Sequence, residues 1–158
     1  LPLLLVVIII IITSNAIKIV PLQKVLIIEK LGVYEKTLEA GIHWIIPFVC
    51  RVVKEVDLGN RTYETNEGTF RTLDDQTVTL KSIVSFEVKD PKLYHYGFKN
   101  DLYEVQEIMF DKLRYVILQN TFQDLKMDLL DIESQLRLQI IDKGTAWGLD
   151  IQRVQISI

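Results

Sequence analysis

The stretch Thr77-Val-Thr-Leu-Lys-Ser-Ile-Val-Ser-Phe-Glu-Val88 decides the fold class of this 158-residue chain. Apolar and polar residues alternate along most of it, which is the two-residue period of a β-strand that has one buried face. The residues that we assign to that face are Val78, Leu80, Ser82, Val84, Phe86 and Val88. Asp90-Pro91 ends the pattern, because proline has no amide hydrogen to give to a sheet. The alternation therefore predicts one long strand over residues 77–88.

Shorter strands precede this long one. Residues 24–31 and 33–38 are rich in β-branched side chains and flank Gly32, so they predict a hairpin. Residues 51–58 alternate in the same way as the long strand and predict another strand. Residues 59–68 are polar, and we expect a loop or an irregular sheet edge there.

The spacing of the apolar residues changes after the long strand. From Asp101 onward they recur every three or four residues, which is the period of an amphipathic helix. A second helix is predicted over residues 128–143, with Gly144 ending it, and residues 149–158 predict a last strand. Strands followed by helices indicate an α+β fold, with helices packed on one side of a mainly antiparallel sheet.

The chain begins with Leu1-Pro-Leu-Leu-Leu-Val-Val-Ile-Ile-Ile-Ile-Ile12, which contains no polar side chain. A helix of this length covers about 18 Å of the roughly 30 Å hydrocarbon core, so we expect further residues upstream. A signal peptide and a buried core segment are the alternatives, but no small-residue cleavage site follows the run. The run predicts a membrane anchor made of Leu3, Leu4, Leu5, Val6, Val7, Ile8, Ile9, Ile10, Ile11 and Ile12. We divide the chain into an anchor (1–20), a β-rich half (21–91) and a helix-helix-strand half (92–158).

A second apolar patch is Ile42-His-Trp-Ile-Ile-Pro-Phe-Val49, in which Pro47 indicates a sheet edge or a break. Tryptophan suits the membrane–water interface, because its ring is apolar and its N–H is polar. The candidate interface residues are Ile42, Trp44, Ile45, Ile46 and Phe48. An ordinary core strand is the alternative. Lys18 and Lys24, which follow the apolar run, favour a body on the cytoplasmic side.

Composition excludes several classes of function. The net charge is −3 and no stripe of Lys or Arg is present, which argues against nucleic-acid binding. The single cysteine forms no internal disulfide framework, and neither His43 nor His95 has a partner at the spacing of metal ligands. No glycine-rich phosphate loop occurs. We therefore expect no metal and no cofactor.

Candidates for catalysis are few. No serine lies in a Gly-x-Ser-x-Gly elbow, and Asp74-Asp75 is the one carboxylate pair before a strand, where a solvated turn is the simpler interpretation. Cys50 is a possible nucleophile or palmitoylation site, but no base stands near it in the sequence. We expect no catalytic residue. The alternatives are a membrane-bound protease or hydrolase that uses Cys50 or a serine, and a lipid-binding module that works as a monomer.

A series of short motifs runs along residues 17–158. They include Glu29-Lys-Leu-Gly-Val-Tyr34, Thr37-Leu-Glu-Ala-Gly-Ile-His-Trp-Ile-Ile-Pro-Phe48, Val84-Ser-Phe-Glu-Val88-Lys-Asp-Pro91 and Trp147-Gly-Leu-Asp-Ile-Gln-Arg-Val-Gln-Ile156. In this order they resemble the stomatin–prohibitin–flotillin (SPFH, or band-7) domain of stomatin-like proteins. Ala40 stands where the family usually has a proline.

The resemblance implies a non-enzymatic scaffold that is anchored in the lipid bilayer. It implies copies that associate side by side into rings or cages, as a homo-oligomer or as a hetero-oligomer with a paralogue. The partners it implies are membrane proteins, either FtsH-type or NfeD-type proteases or channels. The polar faces of the helices that begin near Asp101 and Asp128 are then the candidates for lateral contacts.

Overall fold

The computed structural model of the protein describes residues 16–97 and 102–157. The strands in these ranges are β1 (Ile17–Val20), β2 (Lys24–Lys30), β3 (Val33–Leu38), β4 (Gly41–Trp44), β5 (Cys50–Asp57), β6 (Arg61–Glu64), β7 (Gly68–Arg71), β8 (Thr77–Val88) and β9 (Leu149–Ser157). The helices are α1 (Pro91–Gly97), α2 (Leu102–Leu118), α3 (Phe122–Met127) and α4 (Leu129–Ala146). The strand pairs between them are antiparallel, so the predicted α+β class is confirmed.

The predicted anchor lies mostly outside the described residues. Of its residues 1–20, the structure describes 16–20, and Ile17–Val20 forms strand β1, which pairs with β4. Across the described ranges, no helix combines the length and the apolar character needed to cross a bilayer. The last residues assigned to the anchor are therefore part of the folded body.

The chain divides into two compact units, one up to Gly59 and one from Asn60. This division falls earlier than the change from strands to helices at residue 91. The helices share a unit with the long strand β8, because their apolar faces are buried against β7, β9 and each other. Helix stripes of this kind gain stability by packing on a neighbouring layer rather than alone.

The first unit holds a three-stranded sheet in the order β3-β2-β5 and a two-stranded ribbon of β1 and β4. The hairpin predicted around Gly32 is confirmed, since β2 and β3 pair directly. Side chains from the ribbon and its following loop pack with side chains from the sheet. This core consists of Val20, Leu26, Ile28, Leu38 and Ile45.

Strand β8 is the centre of the second unit. It pairs with β6 and β7 along one edge and with β9 along the other. Its bounds match the predicted residues 77–88, and the predicted face is buried except at Phe86, which is half-buried. Residues 59–68, predicted as a loop or an irregular edge, contain the short edge strand β6 and the first residue of β7.

The free edge of β9 is covered by side chains of helix α4. Arg137 donates from Nε and Nη2 to the carbonyl oxygen of Ile151, at 3.1 and 2.9 Å. The amide of Ile156 donates to Glu133 Oε1 at 2.8 Å. These bonds occupy backbone groups that an exposed edge would offer to another strand.

Helix α4 continues past Gly144 to Ala146, so the predicted helix end at Gly144 is wrong. Gly144 is buried, and a Cβ at this position would lie 2.8 Å from Ile151 Cγ1. The glycine therefore allows β9 to approach the helix closely. The turn after the helix is made at Gly148, whose φ of +71° suits glycine.

Two short helices were not predicted from the pattern of apolar residues. Helix α1 begins at Pro91, and Asp90 Oδ1 accepts the Leu93 amide at 2.9 Å, as at a capped helix start. Helix α3 is preceded by a capping box, in which the Thr121 and Asp124 side chains each accept the other's backbone amide. Both helices are too short for a 3.6-residue period to be recognised in the sequence.

Candidate functional site

The outer face of the β1–β4 ribbon is apolar. Ile17 lies opposite Trp44 in the pairing of the two strands, and Ile19 lies opposite Ile42. The four side chains, in the order Ile17, Ile19, Ile42 and Trp44, are 48%, 73%, 77% and 66% exposed. The solvent face of an antiparallel pair normally carries polar residues. We call this surface, made of Ile17, Ile19, Ile42 and Trp44, the ribbon face, and an exposed apolar patch of this kind is typical of an interaction surface.

The ribbon keeps this face outward because its other face carries the side chains of the core. Val20 in β1 is buried against Leu26 and its neighbours in the sheet of the first unit. Successive side chains in a strand point to opposite faces, so Ile19 must then point outward. The amide of Ile45 donates to the carbonyl of Ala16 at 2.8 Å, which extends the pairing beyond Trp44.

The predicted interface residues separate into two groups. Ile42, Trp44, Ile46 and Phe48 are exposed, whereas Ile45 is 5% exposed and belongs to the core, so its assignment to the interface is corrected. Ile17 and Ile19 were missed, because the sequence placed them in the anchor. Only the register of β1 against β4 brings them beside Trp44 and Ile42.

His43 lies in the short edge strand β4 and its ring is hydrogen-bonded. Its Nε2 lies 2.7 Å from the carbonyl oxygen of Glu39, to which it donates. In the described part of the chain, no group of three or more His, Cys, Asp or Glu side chains is placed to hold a metal ion.

The thiol of Cys50 makes a hydrogen bond that favours its protonated form. It donates to Glu35 Oε2 at 3.2 Å, and this hydrogen bond raises the pKa of the Cys50 thiol, as does burial to a smaller extent. Catalytic cysteines need the opposite shift, because the thiolate is the nucleophile. The geometry therefore argues against Cys50 as the nucleophile of a hydrolase.

The two carboxylates of Asp74-Asp75 have separate partners. Thr72 Oγ1 donates to Asp74 Oδ1 at 2.6 Å and the Phe122 amide donates to the same oxygen at 3.0 Å, and both bonds lower the pKa of Asp74. Asp75 pairs with Arg71 at 3.1 Å. The pair shapes the turn before β8 and ties it to the start of α3. It does not face a common substrate, as general acid–base catalysis by two carboxylates requires.

The second unit contains an apolar cavity of about 250 Å³ between its sheet and helices α2 and α4. Buried side chains line it from both layers, among them Val84 from β8, Met109 from α2 and Ile140 from α4. Nothing in the sequence pattern indicated this cavity, because its buried apolar lining residues are also ordinary core residues of their own strands and helices.

Comparison with known proteins gives a match to the SPFH domain / Band 7 family over residues 18–157. An uncharacterized protein of Mycobacterium tuberculosis is 29% identical over 93% of this chain and 39% of its own length. Stomatin-like protein 1 of Mus musculus is 27% identical over 90% of this chain and 36% of its own length. Stomatin-like protein 2, mitochondrial, of Rattus norvegicus is 21% identical over 90% of this chain and 40% of its own length. The chain thus spans less than half the length of these relatives.

Proposed function

The chain belongs to the SPFH domain / Band 7 family, and we propose that it is a non-enzymatic scaffold anchored in a membrane. Its copies associate into rings or cages that organise membrane microdomains and regulate partner membrane proteins, either FtsH-type or NfeD-type proteases or channels. The observation that supports this proposal most directly is the ribbon face, whose four large apolar side chains are exposed in the folded unit.

The ribbon face has the composition of a surface that docks on lipid. Moving one large apolar side chain from water into an apolar phase contributes about 1.5–3 kcal/mol, so four such side chains add a substantial affinity. An indole at the edge of the patch suits the interfacial layer. The apolar run Leu1–Ile12 precedes β1 by a few residues, so an anchor there holds the ribbon at the bilayer surface.

Association of copies is favoured by this confinement. An anchor raises the local concentration of neighbouring copies, so weak lateral contacts suffice to close a ring. The helices of the second unit offer exposed apolar positions for such contacts, beside the polar faces noted above. These positions are Tyr115 and Leu118 on α2 and Leu130 and Leu138 on α4.

Membrane docking is tested by deletion of residues 1–15, which leaves β1 intact. The shortened protein is mixed with phosphatidylcholine vesicles and floated on a density gradient. We expect part of it to float, and we expect the added pair Ile42→Ser and Trp44→Ser to abolish flotation. The matched pair Leu130→Ser and Leu138→Ser removes exposed apolar surface from α4 and should leave flotation unchanged. Equal loss with both pairs would contradict docking by the ribbon face.

Assembly is tested separately with the 158-residue chain. Its mass is measured in lipid nanodiscs large enough for several copies, and we expect a multiple of the 18.3 kDa chain. The Leu130→Ser and Leu138→Ser pair is expected to lower that multiple. A single-chain mass would favour the alternative, a lipid-binding module that works as a monomer. For sidedness we propose a cytoplasmic body, supported by Lys18 and Lys24 beside the anchor.

A further inference from the structure

The cavity of the second unit is partly open to solvent. Its volume of about 250 Å³ is slightly below the roughly 300–1,000 Å³ of small-molecule pockets. Its sheet side includes Val84 and Ile151, and its helix side includes Met109 and Ile140. All four side chains are buried and apolar, so the space suits an apolar guest.

The charged side chains around the cavity have one sign. Arg61 and Lys143 line it, and no acidic side chain in the described part of the chain does. Arg61 is half-buried, and its Nη1 donates to Tyr94 Oη at 3.4 Å, which holds the guanidinium at the cavity wall. Lys143 lies in the last turn of α4 and is exposed, so its ammonium lies on the solvent side. The cavity therefore combines an apolar interior with a cationic rim.

We propose that this cavity binds the single chain of a fatty acid, with the carboxylate held by Arg61 and Lys143. An arginine fork and an ammonium form charge-assisted hydrogen bonds with a carboxylate, and these are stronger than bonds between neutral groups. A neutral guest forms no charge-assisted bond with either cation, and a diacyl lipid carries twice the chain volume. The inference concerns the second unit alone and does not depend on the scaffold function.

Trp147 also lines the cavity, so its fluorescence reports on a guest. The probe is a medium-chain fatty acid with a terminal bromine, which quenches indole emission on contact. The 158-residue chain carries Trp44→Phe, so that Trp147 is its remaining tryptophan, and it is held in phosphatidylcholine nanodiscs. We expect saturable quenching by the bromo acid. We expect far weaker quenching by the bromo amine of the same chain length, because its charge is repelled by the rim.

The pair Arg61→Gln and Lys143→Gln should weaken the apparent affinity for the bromo acid by about tenfold or more. A matched pair, Lys126→Gln and Arg153→Gln, removes the same charge from exposed positions outside the cavity. This pair should change the apparent affinity for the bromo acid little. A filling variant, Val105→Phe, should reduce quenching while the melting temperature stays the same or rises. Val105 is only half-buried, so we expect the Val105→Phe protein to fold. It therefore still tests the proposal if the protein with Arg61→Gln and Lys143→Gln does not fold.

Three results would overturn the proposal. The first is equal quenching by the bromo acid and the bromo amine. The second is an equal loss of affinity in the rim pair and the matched pair. The third is quenching of Trp147 by bromine-labelled phosphatidylcholine in the nanodisc, which would place this indole against the bilayer rather than around a fatty acid.

Discussion

Trp44 and Ile17 face each other across the β4–β1 pairing, and both side chains are exposed on the same face of the ribbon. Directly opposed residues in an antiparallel pair lie close enough for their side chains to touch, so an indole and a β-branched chain form one apolar surface.

The 158-residue chain with Trp147→Phe keeps Trp44 as its remaining tryptophan. In phosphatidylcholine vesicles we expect its emission to shift to the blue and to be quenched by bromine-labelled lipid, because the ring leaves water. Ile19→Ser with Ile42→Ser should reduce this quenching at least severalfold, since each loses burial worth about 2 kcal/mol. The control chain, Trp44→Phe, reports Trp147 and should show no quenching by the lipid. Similar quenching of both indoles by the lipid would refute the proposal that the ribbon face lies against the bilayer.

Gly148→Ala should destabilise the protein by about 3 kcal/mol or more. Its φ of +71° is unfavourable for alanine, and a Cβ would overlap the carbonyl oxygen of Asp90. The control is Gly97→Ala, where a Cβ would lie 3.6 Å from the Ala146 carbonyl oxygen, an ordinary contact distance. Chemical denaturation of both variants gives the free energies of unfolding. Equal and small losses would show that the turn at Gly148 relaxes without cost.

Asp74 should make stability depend on pH. Hydrogen bonds from Thr72 and from the Phe122 amide lower the pKa of Asp74 in the folded protein below its ordinary value of 3.8. Across the range between the two pKa values the unfolded chain binds more protons than the folded one, so this contribution to stability rises with pH. This contribution to stability is fully present when the pH is above the ordinary pKa. It is lost as the pH falls through the lowered pKa of the folded protein.

Asp74→Asn should therefore lower the melting temperature at neutral pH and reduce its fall in acid. Asp75→Asn is the matched change at the adjacent position, where the carboxylate makes an exposed ion pair with Arg71. Exposed pairs contribute at most about 1 kcal/mol, so we expect a small effect. Melting curves from neutral pH to well below the ordinary pKa of 3.8 measure both. If Asp74→Asn retains the full acid dependence, the bonds to Thr72 and Phe122 do not set it.

Cys50 should react slowly with iodoacetamide at neutral pH. The hydrogen bond to Glu35 raises the pKa of its thiol, so little thiolate is present. Glu35→Gln removes that carboxylate, lowers the pKa of the thiol and should speed alkylation severalfold. Glu55→Gln removes a carboxylate that pairs with Lys24 instead and serves as the control. Rapid stoichiometric alkylation of the unchanged protein would revive the hydrolase alternative.

The elements that could be predicted from the sequence are those with a periodic pattern within a short window of the chain. The alternation over residues 77–88 specified β8 to its ends, because a half-buried strand has a two-residue period. The end of α4 was misplaced, because a glycine in a sequence can either end a helix or permit close packing. Only the position of Ile151 against Gly144 distinguishes these roles.

Only part of the candidate site could be predicted from the sequence, again because the sequence pattern reports local properties. The sequence singled out Ile42, Trp44, Ile46 and Phe48 by their apolar character, which is a local property. It could not separate Ile45 from them, because hydrophobicity does not state which face a side chain occupies. The core formed with Val20 and Leu26 decides that Ile45 is inside.

The sequence by itself determined the family, the α+β class, the long strand and the apolar character of the regions around Leu1–Ile12 and Trp44. These depend on periodicity and on motifs that lie within short windows of the chain. The tertiary structure decided that Ile17 and Ile19 join Trp44 on one face and that Arg61 and Lys143 line one cavity. Strand register and layer packing bring together residues far apart in the chain, and a local pattern does not encode those distances.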